Sequence, residues 1–284
     1  MVWTARAAWI VFPITTGAAF NNVFQPWSRA PGIVAAVLLW IAWFAGLVAL
    51  LAPRPWGFTI LRVVAPAAVA LAVASAWSSP WYTSTLAIIS ALVALIFALS
   101  SAVAHACAAS TAYGPEQRFP LRVPIALLAG PLPVSVVAVA AGIACGPLLI
   151  ANGSIVVGIG ALVAGALIVG VLARSLTAVD RRWIVLVPAG LVVVDPLTFP
   201  EPVLLPREHI ASIRRSPVET LADDSREIRA GGPGPVLITC REPGTFIRRS
   251  GRGRVTVEAD RIRVSPLRPR LVLRAAGAHR IAVG

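Results

Sequence analysis

Six long apolar stretches constrain this chain more than any other feature of its sequence. They lie near residues 7–24, 31–52, 61–78, 84–106, 124–146 and 153–174. A helix needs about 20 apolar residues to cross a bilayer core about 30 Å thick. In the whole chain 57% of the residues are hydrophobic and 13% are charged, whereas soluble domains have about 25% charged residues. The sequence therefore predicts an integral membrane protein with a bundle of about six transmembrane helices over residues 1–178.

The first apolar stretch has two interpretations. Arg6 precedes it, and Pro13, Asn21 and Asn22 interrupt it. A basic residue followed by a short apolar run is also typical of a cleaved signal peptide. Because a proline breaks the run and further apolar stretches follow, the sequence favours a retained helix, with the signal peptide as the alternative.

The distribution of arginine predicts the orientation in the membrane, because basic residues in short loops accumulate on the cytoplasmic side. Six spans place on one side the residues Arg6, Arg54, Arg62, Arg118, Arg122, Arg174, Arg181 and Arg182. They place only Arg29 on the other side. We therefore expect a multi-pass protein of the cell (inner) membrane, with both termini in the cytoplasm.

Small residues in the last two apolar stretches have the spacing of close helix packing. Gly142 and Gly146 lie four residues apart, and the last stretch has a small-residue face that includes Gly160, Gly165 and Gly170. Such faces let helix backbones approach closely in lipid. The sequence favours packing within one chain, and a homo-oligomer formed through these faces is the alternative.

The sequence offers few residues for a reaction centre or a metal site. No Asp or Glu falls within a predicted span, whereas proton and ion pathways use such groups. The three His residues and the widely spaced Cys107, Cys145 and Cys240 match no catalytic or metal-ligand pattern. We expect a protein that is not an enzyme and that has no cofactor and no metal.

After residue 178 the pattern changes from long apolar runs to short β-branched runs. These are RWIVLVPAG and LVVVDPL around the turn Pro188-Ala189-Gly190, followed by PVLLP, HIASIRR, PVLITC, RVTVEAD and RIRVSPL. Such runs between turn residues are typical of strands. PRLVLRAAGAH, which begins at Pro269, predicts a short helix that covers the sheet with Leu271, Leu273, Ala275 and Ala276. Residues 179–284 are therefore predicted to form a small, mostly-β cytoplasmic domain.

About seven short strands closed by a helix resemble the bacterial pleckstrin-homology-like (PH-like) domains of multi-pass membrane proteins. The resemblance rests on Trp183 to Val187, Leu191 to Asp195, VLLPREHIASI and RIRVSPLRP. It implies a PH-like barrel with a C-terminal helix that binds lipid headgroups or peptides and catalyses no reaction. The whole chain also resembles uncharacterised actinobacterial-type multi-pass membrane proteins with this layout, which implies no established activity.

A basic cluster is the candidate binding surface of the C-terminal domain. IRRSGRGRV contains Arg248, Arg249, Arg252 and Arg254, and Arg181 and Arg182 closely follow the last span. Phosphoinositide-binding domains carry their basic patch in the loop after the first strand, where this chain has uncharged turn residues. The six arginines predict contact with anionic headgroups or with a partner protein, and a solvated loop is the alternative. No aromatic residue is interleaved in the cluster, so no nucleic acid is expected.

Two functions remain open from the sequence. The first is a non-catalytic membrane protein that holds a PH-like binding domain at the cytoplasmic leaflet as a scaffold or regulatory module. Its partners are the lipid bilayer, anionic headgroups, or another membrane or cytoplasmic protein. The alternative is a permease-like or channel-like component for a neutral or apolar solute, with a regulatory tail.

Overall fold

The structure is a computed structural model that describes residues 1–216, 226–230, 232, 234–251 and 253–284. The chain divides into two structural units. Unit 1 consists of Met1–Cys107 and Gly130–Thr177, and unit 2 consists of Ala108–Ala129 and Ala178–Gly284. Unit 2 is therefore discontinuous in sequence. It combines the C-terminal part of the chain with the segment of residues 108–129. The domain boundary predicted at residue 178 assigns that segment to the membrane part.

Six helices in the described part of the chain are long and apolar enough to cross a membrane. The first four are α1 (Val2–Phe24), α2 (Arg29–Leu51), α3 (Pro55–Ala74) and α4 (Trp81–Ala98). The short helices α5 (Ser101–Ala109) and α6 (Ile125–Ala129) follow, and then the long helices α7 (Pro131–Ala151) and α8 (Ile155–Asp180). The expected layout of six long apolar helices followed by a small sheet-containing domain with a C-terminal helix is confirmed.

Several predicted spans have different bounds in the structure, and the largest differences are in the fourth and the fifth. The fourth stretch ends at Ala98, because the hydroxyl oxygen of Ser100 accepts a hydrogen bond of 3.4 Å from the N–H of Val103 and caps a new helix. The fifth begins later than predicted, at Pro131, which is preceded by Gly130. Proline is favoured in the first turn of a helix because its missing N–H has no helical partner there.

Helices α7 and α8 pack through glycine. A Cβ atom added to Gly165 would collide with the carbonyl oxygen of Gly142, and one added to Gly146 would lie 2.7 Å from the Cα atom of Leu162. Gly170, by contrast, has no atom of the described residues within 4 Å of such a Cβ position. Part of the predicted small-residue face therefore packs within the chain, and part of it does not.

The described part of unit 2 contains two four-stranded sheets. The first has the order β1 (Gln117–Pro120), β2 (Trp183–Val187), β3 (Gly190–Val194) and β4 (Val203–Pro206), antiparallel throughout. The strands of the second are β5 (Ile210–Arg215), β6 (Glu227–Ala230), β7 (Val236–Ser250) and β8 (Gly253–Val264), in the spatial order β5-β7-β8-β6. In the second sheet β6 is parallel to β8, and the other pairs are antiparallel.

The main apolar core of the described part of unit 2 lies between the two sheets and helix α9 (Pro269–Ala278). From α9 it includes Val272, Ala275 and Ala276, whereas Leu271 and Leu273 pack against it and are only partly buried. Ala275 and Ala276 are therefore buried as predicted, Leu271 and Leu273 are buried less than predicted, and Val272 was not expected in the core. Within the described residues the two sheets are separate, so a closed PH-like barrel is not observed.

The long hairpin of β7 and β8 differs from the short strands expected there. RVTVEAD and the first four residues of RIRVSPL form one continuous strand, and PVLITC continues through Ser250 in β7 with a register shift between Thr239 and Gly244. Strands β1 and β6 were not expected. The first of them lies in the loop before α7, and it contributes Phe119 to the core of unit 2.

Candidate functional site

The predicted basic cluster lies at the tip of the β7–β8 hairpin. Its turn starts at Gly251, whose φ of 57° is a left-handed conformation that glycine adopts without strain. Arg249 pairs directly with Arg254 across the hairpin, and Arg248 pairs with Val255. Arg252 lies outside the described residues. Like charges directly opposite each other on a sheet are destabilising, so the tip carries an electrostatic cost that an anion would relieve.

Both faces of the tip combine arginine with an exposed apolar side chain. Alternate residues of a strand share a face, so Ile247 lies on the face of Arg249, and Val255 lies on the face of Arg248. Ile247 is 50% exposed and Val255 is 46% exposed. The N–H of Arg249 donates a hydrogen bond of 2.8 Å to the carbonyl oxygen of Thr198, which ties the tip to the loop after β3.

The two arginines that follow α8 have opposite environments. Arg181 is exposed. Arg182 is buried, and its guanidinium donates to both carboxylate oxygens of Asp195, with distances of 2.6 Å and 3.2 Å. The side chains of this ion pair have no exposed area. The surface contact predicted for Arg182 is therefore wrong, because its charge is already neutralised inside unit 2.

The buried ion pair joins three segments of unit 2. Arg182 also donates a hydrogen bond of 2.9 Å to the carbonyl oxygen of Arg122, in the loop after β1. Asp195 accepts further hydrogen bonds from the hydroxyl of Thr198 at 2.7 Å and from the N–H of Leu197 at 3.2 Å. A buried carboxylate needs such partners because desolvation of an unpaired charge is costly. The pair therefore fixes β1 and the loop after β3 against the start of β2.

Unit 1 contains an apolar cavity of about 520 Å³ lined by α1, α2, α3 and α7. Aromatic side chains, among them Trp9, Phe12, Trp40 and Trp43, form part of its wall. Thr16 and Asn21 are polar residues of its lining, and Thr16 already donates its hydroxyl to the carbonyl oxygen of Phe12 at 2.8 Å. Cavities of roughly 300–1,000 Å³ with apolar walls are typical ligand sites. This one suits a neutral or apolar molecule.

A buried ion pair of the second sheet joins β6 and β8. Arg263 donates to both carboxylate oxygens of Glu227, with distances of 2.7 Å and 3.1 Å. These hydrogen bonds hold the pKa of Glu227 below its ordinary value. Burial raises the pKa of the Cys240 thiol, which keeps it neutral and unreactive. Among the described residues, no three His, Cys, Asp or Glu side chains are grouped to hold a metal.

No known protein family, no curated protein and no solved structure matches this chain. A functional proposal must therefore rest on the geometry of the hairpin tip and of the apolar cavity.

Proposed function

We propose that this protein is a non-catalytic membrane protein that holds a PH-like binding domain at the cytoplasmic leaflet of the cell membrane. The tip of the β7–β8 hairpin binds anionic headgroups there. The observation that carries this proposal is the direct pairing of Arg249 with Arg254 beside the exposed Ile247 and Val255. Basic and apolar side chains together are the composition of a surface that lies at the headgroup boundary.

The electrostatic attraction between the tip and an anionic leaflet is large enough to contribute to binding. Each arginine near an anionic leaflet contributes about 1 kcal/mol, and the field decays over a Debye length of about 8 Å. Arg248, Arg249 and Arg254 together would therefore contribute a few kcal/mol. A headgroup phosphate beside the opposed pair would also remove its mutual repulsion. The expected binding is sensitive to salt and selective for anionic lipid.

The pairing of β1 with β2 supports the proposed topology. Strand β1 precedes α7 and strand β2 follows α8, yet the two strands form one sheet. Two consecutive spans return the chain to the side from which it started. The loop and the tail therefore share a side in the six-span topology, as the arginine distribution also requires. We propose that this side is the cytoplasm.

Headgroup contact is tested by a fluorescent reporter at the tip. The full chain, with its native cysteines replaced and Ser250→Cys labelled with an environment-sensitive dye, is placed in nanodiscs. We expect blue-shifted dye emission in phosphatidylglycerol discs at low salt. In phosphatidylcholine discs the shift should be absent. High salt should reduce it, because mobile ions screen the surface field.

Two triple variants separate the tip from general surface charge. Changing Arg248, Arg249 and Arg254 to Ser should abolish the lipid-dependent shift. Changing Arg207, Arg214 and Arg241 to Ser removes the same charge from exposed positions elsewhere in unit 2, and it should leave the shift unchanged. Equal emission in both lipids for the unmodified tip would refute headgroup binding and favour a partner protein as its ligand.

The orientation is tested by impermeant thiol labelling of intact cells. Ser78→Cys lies between α3 and α4, on the predicted outer side, and Ser250→Cys lies on the predicted inner side. Both positions are exposed in the structure. We expect labelling of position 78 alone, with position 250 reacting only after the cells are permeabilised. The reverse result would mean that both termini lie outside.

The apolar cavity favours a second candidate function, a permease-like component for a neutral or apolar solute. This candidate predicts that proteoliposomes take up a neutral solute, such as radiolabelled glycerol, faster than empty liposomes. Ala36→Phe places a ring in the cavity wall and should abolish the uptake. Uptake equal to that of empty liposomes across a panel of neutral solutes would contradict transport and leave the membrane-anchored binding module.

A further inference from the structure

A second basic feature of unit 2 is an open pocket of about 540 Å³ at the start of α9. Four arginines line it, and we name it the arginine pocket. They are Arg122, Arg215, Arg268 and Arg270. Pro235 and Leu271 contribute to the wall. None of these residues belongs to the hairpin tip, so the arginine pocket does not depend on the proposed function.

Three of the four arginines of the pocket have no acidic partner among the described residues. No acidic side chain of the described residues lines it, and none forms an ion pair with Arg122, Arg215 or Arg270. The first turn of α9 contains no acidic residue either. Cations at a helix N-terminus oppose the helix dipole. An anion bound among these side chains would offset both the repulsion between the arginines and their unfavourable interaction with the helix dipole.

Backbone hydrogen bonds hold the walls of the pocket in place. The N–H of Arg122 donates to the carbonyl oxygen of Ser265 at 2.6 Å, and its own carbonyl oxygen accepts from the buried guanidinium of Arg182 at 2.9 Å. Next to Arg215, the N–H of Ser216 donates to the carbonyl oxygen of Pro235 at 3.0 Å. Walls that are fixed before binding reduce the entropy lost when a ligand binds.

We infer that the arginine pocket binds a phosphate monoester or pyrophosphate group of a small molecule or lipid headgroup. Guanidinium groups donate paired hydrogen bonds that match phosphate oxygens. Several arginines that line one pocket favour a group with two or more negative charges. The volume exceeds that of a single phosphate ion, so the pocket has room for the organic part that carries the phosphate. Such a ligand makes unit 2 a sensor of a phosphorylated compound.

Isothermal titration of inorganic pyrophosphate into the full chain tests this inference. The protein is held in phosphatidylcholine nanodiscs at fixed ionic strength. The pocket variant carries Arg215→Gln and Arg270→Gln. The matched control carries Arg214→Gln and Arg274→Gln, which remove the same charge from the same strand and helix at exposed positions outside the pocket. We expect the pocket variant to bind at least about tenfold more weakly, because charge-assisted hydrogen bonds to phosphate are strong, and the control to bind as the unmodified protein does.

Circular dichroism of both variants confirms that unit 2 remains folded, which exposed substitutions should allow. Absence of pyrophosphate binding to the unmodified protein overturns the inference, and so does an equal loss of affinity in the control variant.

A lipid arm distinguishes the source of the phosphate. Discs with phosphatidic acid, which has a phosphate monoester headgroup, are compared with phosphatidylglycerol discs of equal surface charge. Weaker pyrophosphate binding in the phosphatidic acid discs alone assigns the pocket to a lipid headgroup. Equal binding in both assigns it to a soluble phosphorylated compound.

Discussion

The indole N–H of Trp43 donates a hydrogen bond of 2.9 Å to the carbonyl oxygen of Trp9, and the indole N–H of Trp9 donates one of 2.9 Å to the carbonyl oxygen of Trp43. The first bond has a specific cause. Pro13 lies four residues after Trp9 and lacks the N–H that would bond its carbonyl within α1. In a lipid-exposed bundle a neighbouring helix commonly satisfies such a carbonyl. Helix α2 does so here with a side chain.

Replacing Trp43 by Phe should destabilise unit 1. Phe keeps an aromatic ring but removes the donor, so the carbonyl oxygen of Trp9 loses its partner. A buried group left unsatisfied costs about 1–3 kcal/mol. We expect a lower midpoint of thermal unfolding, followed by circular dichroism of the full chain in detergent.

The matched control for Trp43→Phe is the same change in a Pro13→Ala background. Alanine restores the N–H at position 13 and lets the carbonyl oxygen of Trp9 form its ordinary helical bond. The loss caused by Trp43→Phe should then be clearly smaller. An equal loss in both backgrounds would show that Trp43 stabilises the bundle by packing alone.

The contact between α7 and α8 gives a second prediction. Gly165→Val should separate the helices and lower the unfolding midpoint, because a Cβ atom there collides with the carbonyl oxygen of Gly142. Gly170→Val adds the same side chain on the same helix in open space and should leave the midpoint unchanged. If Gly170→Val instead reduces the apparent oligomer size in light scattering, the free part of the small-residue face joins two copies of the chain.

The buried ion pair of Arg182 and Asp195 gives a third prediction. Asp195→Asn leaves the guanidinium buried without its counter-charge and should cost about 3–5 kcal/mol. Arg181→Gln removes an exposed charge next to it and should cost little. The paired change Arg182→Met with Asp195→Leu should recover part of the loss, since a packed apolar pair is often neutral. Chemical unfolding of the full chain, followed by tryptophan fluorescence, measures all three.

The hydrophobic pattern was sufficient to predict the six helices and most strands of unit 2, because both depend on local sequence. The hairpin of β2 and β3, for example, follows from two β-branched runs around a short turn. The strand β1 was not predictable in this way. Its four residues carry no alternating pattern, and they form a strand only because β2 presents an unpaired edge to them. Long-range pairing of this kind leaves little trace in a single sequence.

The candidate site was also predictable only where its residues are close in sequence. The density of arginine was enough to locate the hairpin tip, since its charges are close in sequence. Arg181 is exposed and Arg182 is buried because Arg182 pairs with Asp195, which lies 13 residues later in the sequence. The four arginines of the arginine pocket likewise come from three separate segments of the chain. The bond between Trp43 and Trp9 has one signal in the sequence, a proline four residues after a tryptophan. Nothing in the sequence indicates that Trp43 is the donor.

Removing β1 from unit 2 should expose the edge of β2 and part of the core. A fragment of residues 178–284 lacks Phe119 and Leu121, which are both buried, and unpaired edges promote aggregation. We expect this fragment to aggregate or to be digested rapidly by protease. Joining residues 108–129 to 178–284 through a flexible linker should give a soluble, protease-resistant domain. Equal resistance of both proteins would show that β1 is dispensable.

The ion pair of Glu227 and Arg263 should make the stability of unit 2 depend on pH. Hydrogen bonds from Arg263 hold the pKa of Glu227 below its ordinary value of 4.5. A carboxyl group with a lowered pKa stabilises the fold fully above the unfolded pKa, and the stabilisation is lost as the pH falls through the folded pKa. Glu227→Gln should therefore lower the unfolding midpoint of the full chain at pH 7, by an amount that corresponds to about 2 kcal/mol for hydrogen bonds to a charged group. The difference between the variant and the unmodified protein should shrink as the pH falls below 4.5.

Glu242→Gln, at an exposed position, is the control and should have little effect at neutral pH. A difference that stays constant from pH 7 to low pH would mean that Glu227 acts through its shape and not through its charge.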